Sequence, residues 1–253
     1  MLLLLALAVT FQAVTAQLPD PEKLMEKSRD LTMTGSLKST MTLTIYEKNG
    51  ATRVRRVSMV SKSYGGTEKR LIKFLDPADV RGTSMLIIDN EDVQDEMWIY
   101  LPALKRTRRI VSTEKGKSFM SSEFSNADMS SATLSDFIIS HQPLSGSGDE
   151  WIIESKPINE GKAEEYGYSR KVTYLGKEDL KVRKIDYYNF DNLLSRTIEI
   201  LASQPLDGQK GYIMTEMLAK NFLNGRSSRI KYDEINTSAI IPDNTFVADN
   251  LSR

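Results

Sequence analysis

The residues of this 253-residue chain that could carry chemistry are few. It has no cysteine and one histidine, His141. Thiolate nucleophiles and thiolate metal sites are therefore excluded, and no G-x-S-x-G elbow is present. Ser-His-Asp catalysis would rest on His141 alone, which stands beside Gln142 and Pro143 in a setting that suits a loop or surface residue. The carboxylates Asp89, Glu91, Asp92, Asp95 and Glu96 could hold Ca²⁺ weakly. Lacking the glycine and terminal glutamate of an EF-hand loop, they read better as a solvated turn between two strands. No catalytic residue, metal or cofactor is assigned, and the chain is read as no enzyme.

The sharpest charge feature is Lys105, Arg106, Arg108 and Arg109, which follows Trp98, Tyr100 and Leu101 and precedes the segment FMSSEFSNADM. On a strand, Arg106 and Arg108 share one face while Lys105, Thr107 and Arg109 share the other. Stacking aromatics beside arginines could suit single-stranded nucleic acid. However, 34 basic residues balance 34 acidic ones, so no global field steers the protein to a polyanion. Two readings remain for the basic run. Its guanidinium groups could meet lipid phosphate or carboxylate groups at a cavity rim, or they could bridge internally to Glu123, Asp128 or the acidic turn. Phe119, Met120, Phe124 and Met129 of the following segment suit an adaptable apolar site and suit a core equally well.

The elements that must position these residues are mostly strands. Residues 1–16 hold an apolar run from Leu2 to Val9, too short to span a bilayer as a helix, then a more polar stretch ending in small residues at Val14 and Ala16, and read as a cleaved signal peptide without a basic residue before the run. Export to the periplasm is the expectation, with a mature chain from residue 17. About 235 residues then suffice for one domain that buries roughly 70 to 75% of its unfolded surface without disulfides. Asp20 and Pro21 predict the start of a short helix. Beyond Gly35 the period becomes two: Met41, Leu43 and Ile45 alternate with Thr40, Thr42 and Thr44. Asn49-Gly50 marks a hairpin. About ten or eleven strands in an antiparallel meander are expected, interrupted between Ser121 and Gln142 by a helix or a lid-like excursion. Several strands are bulky on both faces. Met97, Ile99 and Leu101 oppose Trp98 and Tyr100, and Ile185 and Tyr187 oppose Tyr188 and Phe190. A sheet with one solvated face would not need this. Either its concave side is covered by helices or a ligand, or it is an ordinary barrel or sandwich core.

On these residues the chain resembles the outer-membrane lipoprotein-sorting protein family, the LolA-like periplasmic proteins. The likeness lies in a branch with W-x-Y-x-P-A-L-K-R-x-R-R-I followed by F-x-G-S-D-F-S-Y-E-D-M. Trp98, Tyr100, Pro102, Ala103, Leu104, Lys105, Arg106, Arg108, Arg109 and Ile110 match the first segment, and Phe119, Ser122, Phe124, Ser125, Asp128 and Met129 the second. Ser121, Glu123, Asn126 and Ala127 depart from it. FLDPADVRGTSML and the C-terminal NGRSSRIKYDEINTSAIIPDNTF resemble the family too. The resemblance implies a mainly β fold, a strongly curved antiparallel sheet forming an incomplete barrel, with a few helices over its concave face. It also implies an apolar cavity that accepts acyl chains of lipoproteins or other lipids for transport toward the outer membrane. The residues expected to line or rim that cavity are Trp98, Tyr100, Leu101, Arg106, Arg109, Phe119, Phe124 and Met129. Implied partners are lipid or lipoprotein acyl chains, an inner-membrane transporter and transient membrane contact, with no nucleic acid. The alternative is an accessory or docking subunit of an envelope exporter.

Overall fold

The computed structural model describes residues 18–90, 93–131, 133–206, 208 and 210–252. The expected signal peptide, and Glu91 and Asp92 of the acidic cluster, lie outside the described residues.

The chain opens with helix α1 (Pro21–Asp30), whose N-cap Asp20 accepts a hydrogen bond from the Glu22 amide at 3.0 Å. Six strands follow as a meander: β1 (Ser36–Tyr46), β2 (Thr52–Ser63), β3 (Thr67–Asp76), β4 (Ser84–Asn90), β5 (Glu96–Leu101) and β6 (Arg106–Ile110). A second meander contains β7 (Phe137–His141), β8 (Glu150–Pro157), β9 (Arg170–Gly176), β10 (Val182–Tyr188), β11 (Leu194–Pro205), β12 (Tyr212–Asn221) and β13 (Ser227–Asn236). Helix α2 (Glu160–Tyr166) sits between β8 and β9.

First and last strands pair. Antiparallel β1 and β13, with Leu43 opposite Ile230, join the two meanders into one thirteen-stranded sheet whose free edges are β6 and β7. The sheet is open; it does not close into a barrel. Period-two burial in β1, with Leu37, Met41, Leu43 and Ile45 inside, shows how one face of each strand is committed to the core.

This topology dictates what covers the concave face. The chain leaves the sheet at one edge, β6, and must re-enter at the opposite edge, β7, so residues 111–136 cross between them. The described residues of this stretch do so as a series of short 3₁₀ turns, not as the helix that was one of the two expectations for Ser121 to Gln142. The crossing is tied down strand by strand. Arg55 on β2 donates to the Met120 carbonyl, the Glu123 amide donates to Ser228 Oγ on β13 at 3.0 Å, and Arg70 on β3 donates to the Met129 carbonyl. Gly116 lets this segment approach α2: its amide donates to the Glu165 carbonyl at 2.8 Å, and an added Cβ would lie 2.7 Å from the Tyr166 backbone.

The opposite face of the N-terminal half has a different cover. Ile241, Phe246 and Leu251 pack on Leu86, with Trp98, Tyr100, Val60, Leu71 and Ile88 around them. Asp243 fastens this strap, accepting from Lys62 Nζ at 2.7 Å and from the Tyr64 hydroxyl at 2.8 Å. The two-faced strands thus have a physical reason: Met97 and Ile99 face the main core, while Trp98 and Tyr100 face the strap. Among the described residues no helix is long and apolar enough to cross a membrane.

Candidate functional site

Between the concave sheet, α1 and the 3₁₀ crossing lies a cavity of about 330 Å³. Its walls are mainly apolar: Met41 from β1, Met59 from β2, Ile72 from β3, Ile198 and Ile200 from β11, and Met217 from β12. Met25 closes it from α1, and Phe124 and Met129 from the crossing. Adaptable methionines and branched aliphatics make a surface suited to hydrocarbon.

Polar groups enter this cavity at defined points. Arg70 Nη2 donates to Glu68 Oε1 at 2.9 Å. Asp128 accepts from Arg196, from the Tyr187 hydroxyl at 3.0 Å and from the Ser125 amide at 2.7 Å. Burial alone would raise the Asp128 pKa; the Arg196 charge and these bonds outweigh it and hold the carboxyl below the usual range. Burial, with Asp128 beside it, pushes the Tyr187 phenol well above its ordinary value. Lys171 faces the cavity from β9, with its ammonium 4.6 Å from the Phe137 ring centroid. Burial lowers its pKa from 10.5 to about 8.

The structure separates the residues expected at the site. Phe124 and Met129 line the large cavity, and Phe119 lines a second cavity of about 260 Å³ with Phe74, Met85 and Ile110. Leu101 packs against the main core outside both. Trp98 and Tyr100 lie on the other face, beneath the C-terminal strap. Arg106 and Arg109 are exposed on edge strand β6, with the Arg109 guanidinium 6.0 Å from the Trp98 ring centroid. The internal partners weighed for the basic run are also distributed differently. Arg108 bridges to Glu114 at 2.7 Å, while Asp128 belongs to Arg196 and Glu123 to Arg226 at 3.0 Å.

The acidic turn is partly internal. Asp95 accepts from buried Lys115 at 3.1 Å, and Asp89 Oδ2 accepts from the Ser131 amide at 2.6 Å. Among the described residues no group of three or more carboxylate or imidazole side chains is placed to hold a metal. His141 is a clamp between segments, with Nδ1 2.7 Å from Ser145 Oγ and Nε2 2.7 Å from the Pro19 carbonyl. Ser145 Oγ also accepts from the Ile152 amide at 2.9 Å, so the serine of this pair is committed on both sides. Sequence reasoning missed Lys171 and Asp128 as cavity residues, and Arg196 as the partner of Asp128. The signal for Lys171 was its strand spacing with Thr173 and Leu175, which puts it on the same face as core residues.

A family model described as "-like: Uncharacterized protein" matches residues 66–253. None of the curated proteins matches the chain. Among solved structures, an outer membrane lipoprotein-sorting protein domain from Vibrio parahaemolyticus superposes with a TM-score of 0.83 at 24% identity, covering 92% of this chain and 98% of its own. A DUF1329 family protein from Desulfovibrio piger gives a TM-score of 0.81 at 26% identity, covering 92% of this chain and 100% of its own. A LolA superfamily protein from Nitrosomonas europaea gives 0.70 at 16% identity, over 90% of this chain and 98% of its own. The chain belongs to the family that the matching model describes, and its fold is that of the LolA-like outer-membrane lipoprotein-sorting proteins.

Proposed function

We propose that this protein is a non-enzymatic periplasmic carrier that takes acyl chains of a lipoprotein or another lipid into its concave cavity and passes them toward the outer membrane. The observation that carries this reading is the cavity itself: about 330 Å³ of space walled by Met41, Met59, Ile72, Ile198 and Met217. A docking subunit would have no need of hydrocarbon-lined space at this position, which is why the accessory-subunit reading ranks second.

Affinity would come from chain burial, at about 0.8 kcal/mol per methylene. A 14-carbon chain then contributes on the order of 10 kcal/mol before ordering costs. Release at that affinity requires the cover to move or a receptor to compete. The 3₁₀ crossing is the natural moving part, because it contributes Phe124 and Met129 to the wall without being a strand of the sheet.

The test is native mass spectrometry of mature protein purified from cell envelope without detergent, followed by solvent extraction of whatever travels with it. A stoichiometric lipid or acylated peptide is the expected result. Clean apo protein that also ignores added fatty acids and phospholipids would favour the docking subunit.

A further inference from the structure

The cavity is not electrically neutral. Of the cationic side chains that line it, Arg70 is answered by Glu68 at 2.9 Å and by the Met129 carbonyl. Arg29 bridges to Asp30 at 3.7 Å. The Asp128 carboxylate is answered by Arg196. Lys171 is left over: 92% buried, it has neither hydrogen bond nor ion pair to any described residue, and its one close partner is the Phe137 ring.

Register places more unpaired polar atoms around it. Ser155 on β8 lies directly opposite Lys171 across the ladder, so their side chains point to the same face. Thr173, two residues along β9, points there as well. The hydroxyls of Ser155 and Thr173 are buried at 1% and 2% exposure and have no hydrogen-bond partner among the described residues. Buried polar groups are almost always satisfied, and a lysine almost never goes unpaired inside a protein. Here an ammonium and two hydroxyls stand on one patch of sheet, and the ammonium and the Thr173 hydroxyl line the hydrocarbon-walled cavity.

We infer that Lys171 is the anchor for the anionic head of a single-chain amphiphile, whose tail fills the apolar remainder of the cavity. The inference rests on the carrier reading and narrows it to a ligand class. A carboxylate or phosphate head would give the ammonium the ion-pair partner it lacks and would accept from the Thr173 hydroxyl, which lines the cavity beside it. A neutral head would leave the ammonium buried and uncompensated. A cationic head would be repelled.

The experiment measures the affinity of the purified full-length mature protein, at about pH 7, for three probes of equal chain length: palmitic acid, hexadecanol and hexadecyl phosphate. The expected result is that at least one anionic probe binds about tenfold or more tightly than the alcohol, as a charge-assisted hydrogen bond implies. The order of acid and phosphate then identifies the head. In Lys171→Met the ratio of anionic to neutral affinity is expected to fall toward one, and in Lys171→Arg to persist. Equal binding of acid, phosphate and alcohol by the wild type overturns the anchor while leaving the carrier standing. So does a preference that survives Lys171→Met. Binding of none of the three overturns both readings. The wild-type ratio decides the question even where a variant does not fold.

Discussion

Asp128 and Arg196, 68 residues apart in the chain, form a buried ion pair that ties the 3₁₀ crossing to strand β11. The pair is one of the ties that hold the cover to the sheet, and Arg196 adds a second by donating to the Glu123 carbonyl at 3.0 Å. Its geometry is completed by the Tyr187 hydroxyl and the Ser125 amide. Removing Asp128 leaves a buried guanidinium without a counter-charge.

Asp128→Ala is therefore expected to cost about 3 to 5 kcal/mol of unfolding free energy, read by denaturant titration at neutral pH. The wild-type contribution carries a sign. Because the folded-state pKa of Asp128 is lowered, its stabilisation is present above the ordinary aspartate pKa and is lost as pH falls through the folded value. A loss below about 1 kcal/mol would mean that the cover is held by other contacts.

Asp89 behaves in the opposite sense. Burial raises its pKa to about 7, against the opposing pull of Arg70 and the Ser131 amide, and Asp95 and Glu68 add to the rise. A carboxyl whose folded pKa is raised costs stability when ionised. That cost is present in full above about pH 7 and is relieved as pH falls from there toward the unfolded value. Asn can still accept from the Ser131 amide without carrying the charge. Asp89→Asn is expected to stabilise the protein by roughly 2 to 4 kcal/mol at about pH 8 and by little near pH 4. Equal effects at both pH values would remove Asp89 titration as the cause.

Lys171 carries a similar penalty. The fall from 10.5 to about 8 corresponds to about 3 kcal/mol against the protonated form. The penalty is complete below about pH 8 and is relieved as pH rises toward the unfolded value. Ligand-free Lys171→Met is thus expected to be more stable than wild type by about 3 kcal/mol at neutral pH, seen as a raised denaturation midpoint. A less stable variant would mean that the ammonium already has a compensating partner.

The strap on the far face offers a separable perturbation. Phe246 is 4% exposed and packs against Leu86, Ile241 and Leu251 on the side of the sheet away from the cavity. Phe246→Ala is expected to cost about 3 to 5 kcal/mol and to leave amphiphile affinity within a few-fold of wild type. A parallel loss of affinity would show that the strap shapes the cavity through the sheet.

Much of the frame was readable in the residues. The alternation of Met41, Leu43 and Ile45 with threonines gave β1, Asn49-Gly50 gave its hairpin, and Asp20-Pro21 gave the start of α1. Strand β7 was absent from the expected set because Phe137, Ile139 and their neighbours fell inside a stretch read as an excursion. The site was less readable. Trp98 and Phe124 look alike as bulky apolar residues near a basic run, yet one lies beneath the C-terminal strap and the other lines the cavity. Which face a strand residue occupies is local, whereas what covers that face depends on segments more than a hundred residues away. Lys171 was hidden for a related reason: a lysine in a strand reads as solvent-facing, and its spacing with Thr173 and Leu175 marks the inner face only once the packing of Phe137 shows that face to be covered.

The open sheet has a mechanical meaning. In a closed barrel, a continuous hoop of backbone hydrogen bonds fixes the girth, and the interior accepts only what fits. Here the hoop is cut between β6 and β7. The curvature is then set by what is packed within it, and the two edges can splay or draw together without breaking a ladder bond. In the proposed carrier, selection of cargo by size would pass from the strands to the crossing segment, whose side-chain hydrogen bonds to the sheet act as an adjustable tie.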